Sequence, residues 1–246
     1  MADHSQMKLG RKAIKTDTRT LRLAKYLTSS LPVAPDDRNW MGSVTDFGMM
    51  LNDQLGDCTI AGCGHAEQIW TLNTGSELTV ADSDILSAYE AWDGYNPADP
   101  TTDQGGIELD VLKKFQQQGL AGHKILAFAS ANVRNVEEIK QAINLFGGVY
   151  IGVNLPISAQ SQDVWDADSS RDGDPGSWGG HCVFVPTYDP NGFTCITWGA
   201  PKKMTLAFWQ EYVDESYALL SPNWVSQNSP SGFALDQLQA DLSLIQ

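Results

Sequence analysis

Long hydrophobic runs and cysteine are both scarce in this sequence, and each shortage excludes a class of protein. No stretch approaches the roughly 18 consecutive apolar residues of a membrane-spanning helix. Residues 1–15 lack the apolar segment of a secretory signal peptide. Four cysteines in 246 residues are too few for a disulfide scaffold. We therefore expect an intracellular protein in a reducing compartment, with no membrane partner.

Positive charge is scarce outside the amino-terminal segment. Residues 1–38 hold eight of the 16 Lys and Arg residues against four Asp, which leaves eight basic and 26 acidic residues in 39–246. A body this negative repels phosphate backbones, so we expect it to have no nucleic-acid partner. We predict that residues 1–38, which we name the basic arm, lie along an acidic surface of the same chain or of a neighbouring copy. The second case would make the arm a contact for a homo-oligomer.

Hydrophobic periodicity places helices mainly in the first half of the chain and strands in the second. A short helical pattern lies at 21–27. Helical spacing also predicts helices at 59–72, at 83–92 with Ser83 as the cap, at 107–118 and at 136–146. Strand-like runs follow at 149–155, 182–188, 193–198 and 216–220, with a hairpin turn at 189–192. This order predicts an α+β fold with two lobes rather than alternating α/β.

The end of the chain also has a helical pattern. Residues 226–246 form a tail with apolar residues at helix-like spacing: Phe233, Leu235, Leu238, Leu242 and Ile245. We predict a helix there that packs back on the body or on a partner.

The segment 52–62 carries a candidate nucleophile. Cys58 stands at the predicted first turn of a helix, where the partial positive charge of the helix terminus favours a thiolate. Gln54 lies four residues earlier, and its amide can donate a hydrogen bond to an oxyanion. The pattern therefore indicates thiol chemistry at this helix start.

The segment 177–185 carries a candidate base. His181 follows a pair of glycines and opens an apolar strand, with Trp178 just before it. Cys58 and His181 are far apart in the sequence, so only the fold could bring them together as nucleophile and base.

The order of these motifs resembles that of the papain-like cysteine peptidases. The resemblance rests on six features in family order across about residues 40–220: Gln54, Gly56 and Cys58 before a helix, Ile85-Leu86-Ser87, Gly105-Gly106-Ile107, a helix running into a strand at 142–153, Gly179-Gly180-His181, and Trp198-Gly199. It implies a papain-like two-lobe fold over 39–225. The helical lobe would span about 40–130, and an antiparallel, barrel-like strand lobe about 131–225, with a cleft between them.

The resemblance also implies a function and a site. It implies a thiol hydrolase of peptide or isopeptide bonds, in which Cys58 attacks the carbonyl, His181 moves the proton and Gln54 holds the oxyanion. It implies a peptide or protein substrate and no cofactor. We also expect no metal, because the spacing of Cys58, Cys63 and His65 does not fit a zinc site. The chain is similar to bacterial and phage-borne relatives, which implies a cytoplasmic location in a bacterium or phage-infected host, or a place in a virion. The residues that would line the cleft are Trp178, Gly179, Gly180 and Trp198.

One position departs from the family pattern. The family's third catalytic residue, an asparagine two residues before the tryptophan of the Trp-Gly pair, is Ile196 here. Isoleucine cannot orient an imidazole by hydrogen bonding, and in a regular strand Thr197 points the other way. Thr197 is the candidate third member if a bulge turns it inward. The alternative is a catalytically decayed papain-like module with a structural or binding role, for example a phage virion or assembly component.

Overall fold

The computed structural model describes residues 3–29, 31–75, 77–227 and 233–245. Within them the α-helices are α1 (Cys58–Thr74), α2 (Asp82–Asp93), α3 (Glu108–Gln117), α4 (Val136–Phe146), α5 (Leu206–Tyr212), α6 (Pro222–Gln227) and α7 (Leu235–Ile245). The strands are β1 (Arg38–Asn39), β2 (Ala127–Ser130), β3 (Val149–Leu155), β4 (Gly179–Asp189), β5 (Gly192–Thr197), β6 (Ala200–Thr205) and β7 (Val213–Leu220). The chain thus combines a mainly helical first half with an antiparallel sheet, as expected for an α+β fold.

The strands form one antiparallel sheet in the order β2-β7-β3-β4-β5-β6, with β1 paired to β4. The sheet is open, so the expected barrel-like closure of the strand lobe is wrong. Loop residues cover both edges instead of a strand. The N–H of Ser130 in β2 bonds to the carbonyl of Leu21 at 2.8 Å, and Trp165 exchanges backbone hydrogen bonds with Lys203 and Thr205 of β6, each 2.9 Å long.

Each face of the sheet supports its own hydrophobic core. Along β3, Val149 and Ile151 point into a core shared with α4 and α5, whereas Tyr150 points into a second core with α1, α2 and α3. This alternation follows from the period of two in a strand. The two cores explain the two-lobed arrangement, with the start of α1 close to the sheet.

The helix α1 is buried on nearly all sides, from Cys58 to Thr71. Small residues let it approach the sheet closely: a Cβ on Gly62 would lie 3.0 Å from the Tyr150 ring. The residues of α1 are mainly small or apolar, although His65, Glu67 and Gln68 are buried with them, so the helix belongs to the core rather than to the surface. Its first residue is therefore held in a fixed place against β4.

Several elements differ from the sequence-based expectations. The pattern at 21–27 forms only a 3₁₀ turn at Leu23–Lys25, because the flanking chain bonds to the edge of β2 instead of continuing a helix. Ser83 does not cap α2; Ala81 is the cap residue and makes no side-chain cap bond. Five elements have no counterpart in the sequence-based expectations: the strands β1, β2 and β6 and the helices α5 and α6. The helix α4 and the strand β3 have the predicted bounds.

The helix α7 packs against the basic arm. Phe233, just before α7, lies 4.9 Å from the Phe146 ring and 6.3 Å from the Tyr26 ring, measured between centroids. Lys25 pairs with Asp241 at 2.7 Å. In the part of the chain that the structure describes, no helix combines the length and hydrophobicity needed to cross a bilayer.

Candidate active site

Cys58 is the first residue of α1, and the loop before it is held by hydrogen bonds. The N–H of Gly56 donates to Asp103 Oδ1 at 3.0 Å, and the hydroxyl of Tyr89 donates to the same oxygen at 2.6 Å. Asn52 donates both to the carbonyl of Leu55 at 3.2 Å and to Asp57 Oδ1 at 3.1 Å. The position of the thiol is therefore set before any ligand binds.

The thiol of Cys58 is covered and neutral in this structure. The residue is only 1% exposed, and burial raises the pKa of the thiol to about 12. The backbone N–H groups of Cys182 and Gly10 act in the opposite direction and lower this pKa. Burial also raises the pKa of the neighbouring Asp57 carboxyl to about 8, so that carboxyl is mainly protonated at neutral pH. Asp57 therefore repels a thiolate less than its sequence position suggests.

His181 hydrogen-bonds to Thr197. The distance between His181 Nε2 and Thr197 Oγ1 is 2.7 Å, and both residues are buried. A register shift in the pairing of β4 and β5, between Phe184 and Thr187, interrupts the regular alternation. Ile196 pairs with Phe184 and is buried in the helical-side core. The residue beside the imidazole is therefore Thr197 and not the residue at the family's asparagine position.

Trp198 covers the other side of the imidazole. Its ring stacks on that of His181 at 4.8 Å between centroids, and the ring of Trp178 lies 5.5 Å from it. Trp198 has a φ of 47°, a left-handed conformation that is uncommon for a bulky residue and often occurs at functional sites. Burial lowers the pKa of His181 to about 3. Its Nδ1 has no hydrogen-bond partner among the described residues.

The basic arm runs through this region as an extended peptide. The N–H of Gly106 donates to the carbonyl of Gly10 at 2.8 Å, and the N–H of Lys12 donates to the carbonyl of Gly106 at 2.8 Å. The N–H of Arg11 donates to the carbonyl of Gly180, the residue before His181, at 3.0 Å. The arm thus bridges the loop before α3 on one side and the start of β4 on the other.

The fit of the arm leaves no room for a side chain at Gly10. A Cβ there would overlap the carbonyl oxygen of Gly56, two residues before Cys58. The residues before Gly10 contact Trp198. Trp198 Nε1 donates to the carbonyl of Lys8 at 3.3 Å, and the His4 ring stacks on the Trp198 ring at 5.0 Å between centroids. This course of the arm explains why the thiol is buried.

The residues singled out in the sequence lie in different environments. Gln54 is exposed in the turn before Cys58, whereas Asn52 is buried there. The four cleft-lining candidates surround the arm or the imidazole: Trp178, Gly179, Gly180 and Trp198. Sequence reasoning missed the insertion of Gly10 and Arg11, for which the only signal was a glycine within a basic segment. In the described ranges no group of three or more His, Cys, Asp or Glu side chains is arranged to hold a metal ion.

The open antiparallel sheet, the helical half and the intervening cleft define a papain-like fold, and comparison with solved structures shows the same fold. Xylellain, a cysteine protease from Xylella fastidiosa, is similar with a TM-score of 0.69 and 12% identity, over 90% of this chain and 98% of that chain. The cysteine protease CMS1MS2 of Carica candamarcensis, solved in complex with E-64, gives a TM-score of 0.56 at 16% identity, over 76% and 99% of the two chains.

A third similar structure is digestive procathepsin L 3 from the larval midgut of Tenebrio molitor. Its TM-score is 0.60 at 10% identity, over 88% of this chain and 77% of that chain. No family model and no curated protein matches the sequence. At these identities the likeness establishes the papain-like fold, and the chemistry has to be argued from the residues of the site.

Proposed function

We propose that this protein is a papain-like cysteine peptidase, a thiol hydrolase of peptide or isopeptide bonds, whose cleft is occupied by its own basic arm. The observation that carries the proposal is the way the arm is held beside Cys58. Gly106 and Gly180 bind it through backbone N–H and carbonyl groups, which every peptide offers. A groove that binds an extended chain in this way suits a peptide or protein substrate.

In this mechanism Cys58 attacks the scissile carbonyl carbon. With Nε2–H of His181 donating to Thr197 Oγ1, the free Nδ1 is the nitrogen that takes the thiol proton and later gives it to the leaving amine. Attack by water on the thioester then releases the acid and restores the thiol. Thr197 acts as a positioning residue, because its hydrogen bond to Nε2 holds the orientation of the imidazole, and its hydroxyl accepts from Nε2–H in the tautomer that leaves Nδ1 free.

The oxyanion of the tetrahedral intermediate needs hydrogen-bond donors. The backbone N–H of Cys58 is one candidate, because the first N–H groups of a helix have no partner within that helix. Gln54 is the candidate side-chain donor, since it is exposed in the turn before Cys58. The amide of Asn52 is already engaged by Leu55 and Asp57, so it is a poor candidate for this role.

Catalysis requires the arm to leave the cleft. While the arm is bound, burial keeps both groups neutral, with the pKa of Cys58 raised and that of His181 lowered. Release of the arm hydrates both side chains, which lowers the thiol pKa, raises the imidazole pKa and favours the thiolate–imidazolium pair. The structure therefore corresponds to a resting state in this proposal.

The second candidate function is a catalytically decayed module with a structural or binding role, such as a phage virion or assembly component. The observation that favours it is the same covered, neutral thiol. In this case the arm would be a permanent part of the fold, and no condition would release it.

Hydrolysis of an unfolded protein by matched cysteine variants separates the two candidates. The full-length chain is incubated with reduced casein, alongside Cys58→Ser and Cys63→Ser. Both cysteines are buried in α1, so the variants test chemistry rather than burial. In chains that also carry Gly10→Ala, whose Cβ would overlap Gly56 and displace the arm, we expect hydrolysis with both cysteines intact and with Cys63→Ser, and its loss with Cys58→Ser. Equal rates of hydrolysis by all three chains, or no hydrolysis even after displacement of the arm, would contradict the proposed peptidase function.

A further inference from the structure

The side chain of Arg11 enters a pocket of three carboxyl groups beside the cleft. Its Nε lies 3.2 Å from Glu108 Oε1, and its Nη2 lies 2.6 Å from Asp214 Oδ1 and 2.9 Å from Glu215 Oε2. Its Nη1 donates to Asn154 Oδ1 at 3.4 Å. The Arg11 side chain is only 2% exposed. We name this site, formed by Glu108, Asn154, Asp214 and Glu215, the acidic pocket.

Groups other than Arg11 hold the acidic pocket in shape. The hydroxyl of Tyr217 donates to Glu215 Oε1 at 2.6 Å, and Asn154 Nδ2 donates to Asp214 Oδ2 at 2.6 Å. Gly152 provides the space, because a Cβ at that position would overlap the guanidinium group. A glycine within a strand often marks such a close approach. The pocket is thus organised by the body of the protein and receives the arm's side chain.

The pocket presents three carboxyl groups to one guanidinium ion. Burial opposes the charge of Arg11, but Glu108, Asp214 and Glu215 outweigh it and raise the pKa of Arg11. Burial and the charge of Glu215 raise the pKa of Glu108 well above its ordinary value, although Arg11 acts to lower it. Burial therefore favours the protonated form of Glu108, and Asp214 and Glu215 supply the closer ion pairs with the guanidinium.

The shape of the pocket also favours arginine over lysine. The contacts reach two different nitrogens of one planar group, Nε toward α3 and Nη2 toward β7. A lysine ammonium is a single point charge and cannot reach both sides at once. The other basic contacts of the arm differ, since the pair of Lys15 with Asp110 is solvent-exposed.

We infer that the acidic pocket is the specificity site of the cleft and takes an arginine side chain of the peptide substrate, with Arg11 as its intramolecular occupant. The backbone of the arm and the guanidinium of Arg11 are bound together, as the backbone and side chain of a bound peptide would be. The role of the pocket in substrate binding rests on the proposed function, whereas the binding of an arginine side chain does not depend on catalysis.

Chemical rescue tests the pocket without any catalytic readout. The full-length Arg11→Ala variant loses the cation and leaves the pocket empty. We expect N-acetyl-arginine amide at millimolar concentration to raise its melting temperature by several degrees. N-acetyl-citrulline amide, which is neutral and nearly the same shape, should not raise it, and the wild type should respond to neither. Equal responses to both compounds, or to neither, in folded Arg11→Ala would overturn the inference.

A second variant covers the case in which Arg11→Ala does not fold. Gly10→Ala displaces the arm by steric overlap and keeps every residue of the pocket. A fluorescein-labelled peptide of residues 6–15 is titrated against it and followed by anisotropy. We expect the citrulline form of this peptide to bind at least about tenfold more weakly than the arginine form. Glu215→Gln in the Gly10→Ala background should reduce this preference, and an unchanged preference would refute the assignment of the pocket.

Cleavage by the same Gly10→Ala protein separates this inference from the proposed function. Fluorogenic peptides carry arginine or citrulline at each of the two positions before the scissile bond. Faster cleavage of an arginine peptide supports both proposals. Cleavage with no arginine preference supports the peptidase function and refutes the assignment of the acidic pocket. Arginine-selective binding without any cleavage keeps the pocket and overturns the peptidase.

Discussion

Gly10→Ala should release the thiol of Cys58 through the addition of one methyl group. The new Cβ would overlap the carbonyl oxygen of Gly56, and a clash between two backbone segments cannot be relieved by a side-chain rotation. The loop that carries Gly56 is anchored to Asp103, whereas Leu9 and Gly10 of the arm are partly exposed. We therefore expect the arm to move out of the cleft and the loop to stay.

The size of the effect follows from the pKa of the thiol. Burial raises the pKa of Cys58 from its usual 9.0 to about 12, and the arm is part of this surrounding, because the backbone N–H of Gly10 lies against the thiol. Well below both values, each unit of pKa changes the thiolate fraction tenfold, so full hydration would increase it about 10³-fold at neutral pH. Release of His181 from burial adds to this, because its pKa rises from about 3 toward 6.5. We expect alkylation of Cys58 to be about 10²- to 10³-fold faster in the variant.

The assay is alkylation by iodoacetamide at pH 7, followed by intact mass and by peptide mapping. The matched control is Ala13→Ser, which adds one atom to the arm at an exposed position. It should label at the rate of the wild type. Three other buried cysteines serve as internal controls in each sample: Cys63, Cys182 and Cys195.

Two results would refute this reasoning. If Gly10→Ala labels no faster than wild type, the arm does not control access to Cys58. If all four cysteines label faster together, the substitution has loosened the whole fold rather than displaced the arm. A selective increase at Cys58, with the melting temperature of the body retained, is the outcome that we expect.

Three further changes test individual side chains. Thr197→Val removes the partner of His181 Nε2 and should lower kcat/KM in the Gly10→Ala background about 10²-fold, whereas Thr197→Ser should retain most of it. Ile196→Asn should not raise activity and should cost about 3 kcal/mol in urea unfolding, because it buries an unpaired amide in the core. Burial raises the pKa of Glu67 to about 8, which means that the folded state favours the protonated carboxyl. This contribution to stability is complete below about pH 4.5 and is lost as the pH rises through 8. Glu67→Gln should therefore gain in melting temperature relative to wild type between pH 6 and 9; a constant difference would contradict this assignment.

Local features of the chain were readable from the sequence because they depend on neighbouring residues. The helix α4 begins after Asn135, which caps it through the N–H of Glu138, and ends at Gly147 with a φ of 82°. The apolar strand β3 follows at once. The papain-like fold was also predictable, because the motifs around Cys58 and His181 and the glycine pairs keep their order along the chain.

Tertiary structure alone decided which residues surround the imidazole and the thiol. A register shift of one residue changes the face on which strand side chains lie, and a one-residue shift between β4 and β5 accompanies the placement of Thr197 beside His181. The sequence pattern had placed Thr197 beside His181 only on the condition that a bulge turned its side chain inward. The closure of the strand lobe was not predictable either, because it depends on whether loops or strands occupy the sheet edges.

The place of the basic arm was the least accessible from the sequence. Its charge predicted contact with an acidic surface, but Gly106 and Gly180 hold it through backbone atoms, which leave no signature in side-chain identity. The pocket for Arg11 is assembled from residues about 100 and 200 positions further along the chain, on α3 and at the start of β7. Hydrophobic and charge patterns describe each segment separately, and only the folded sheet brings these segments to one side of the cleft.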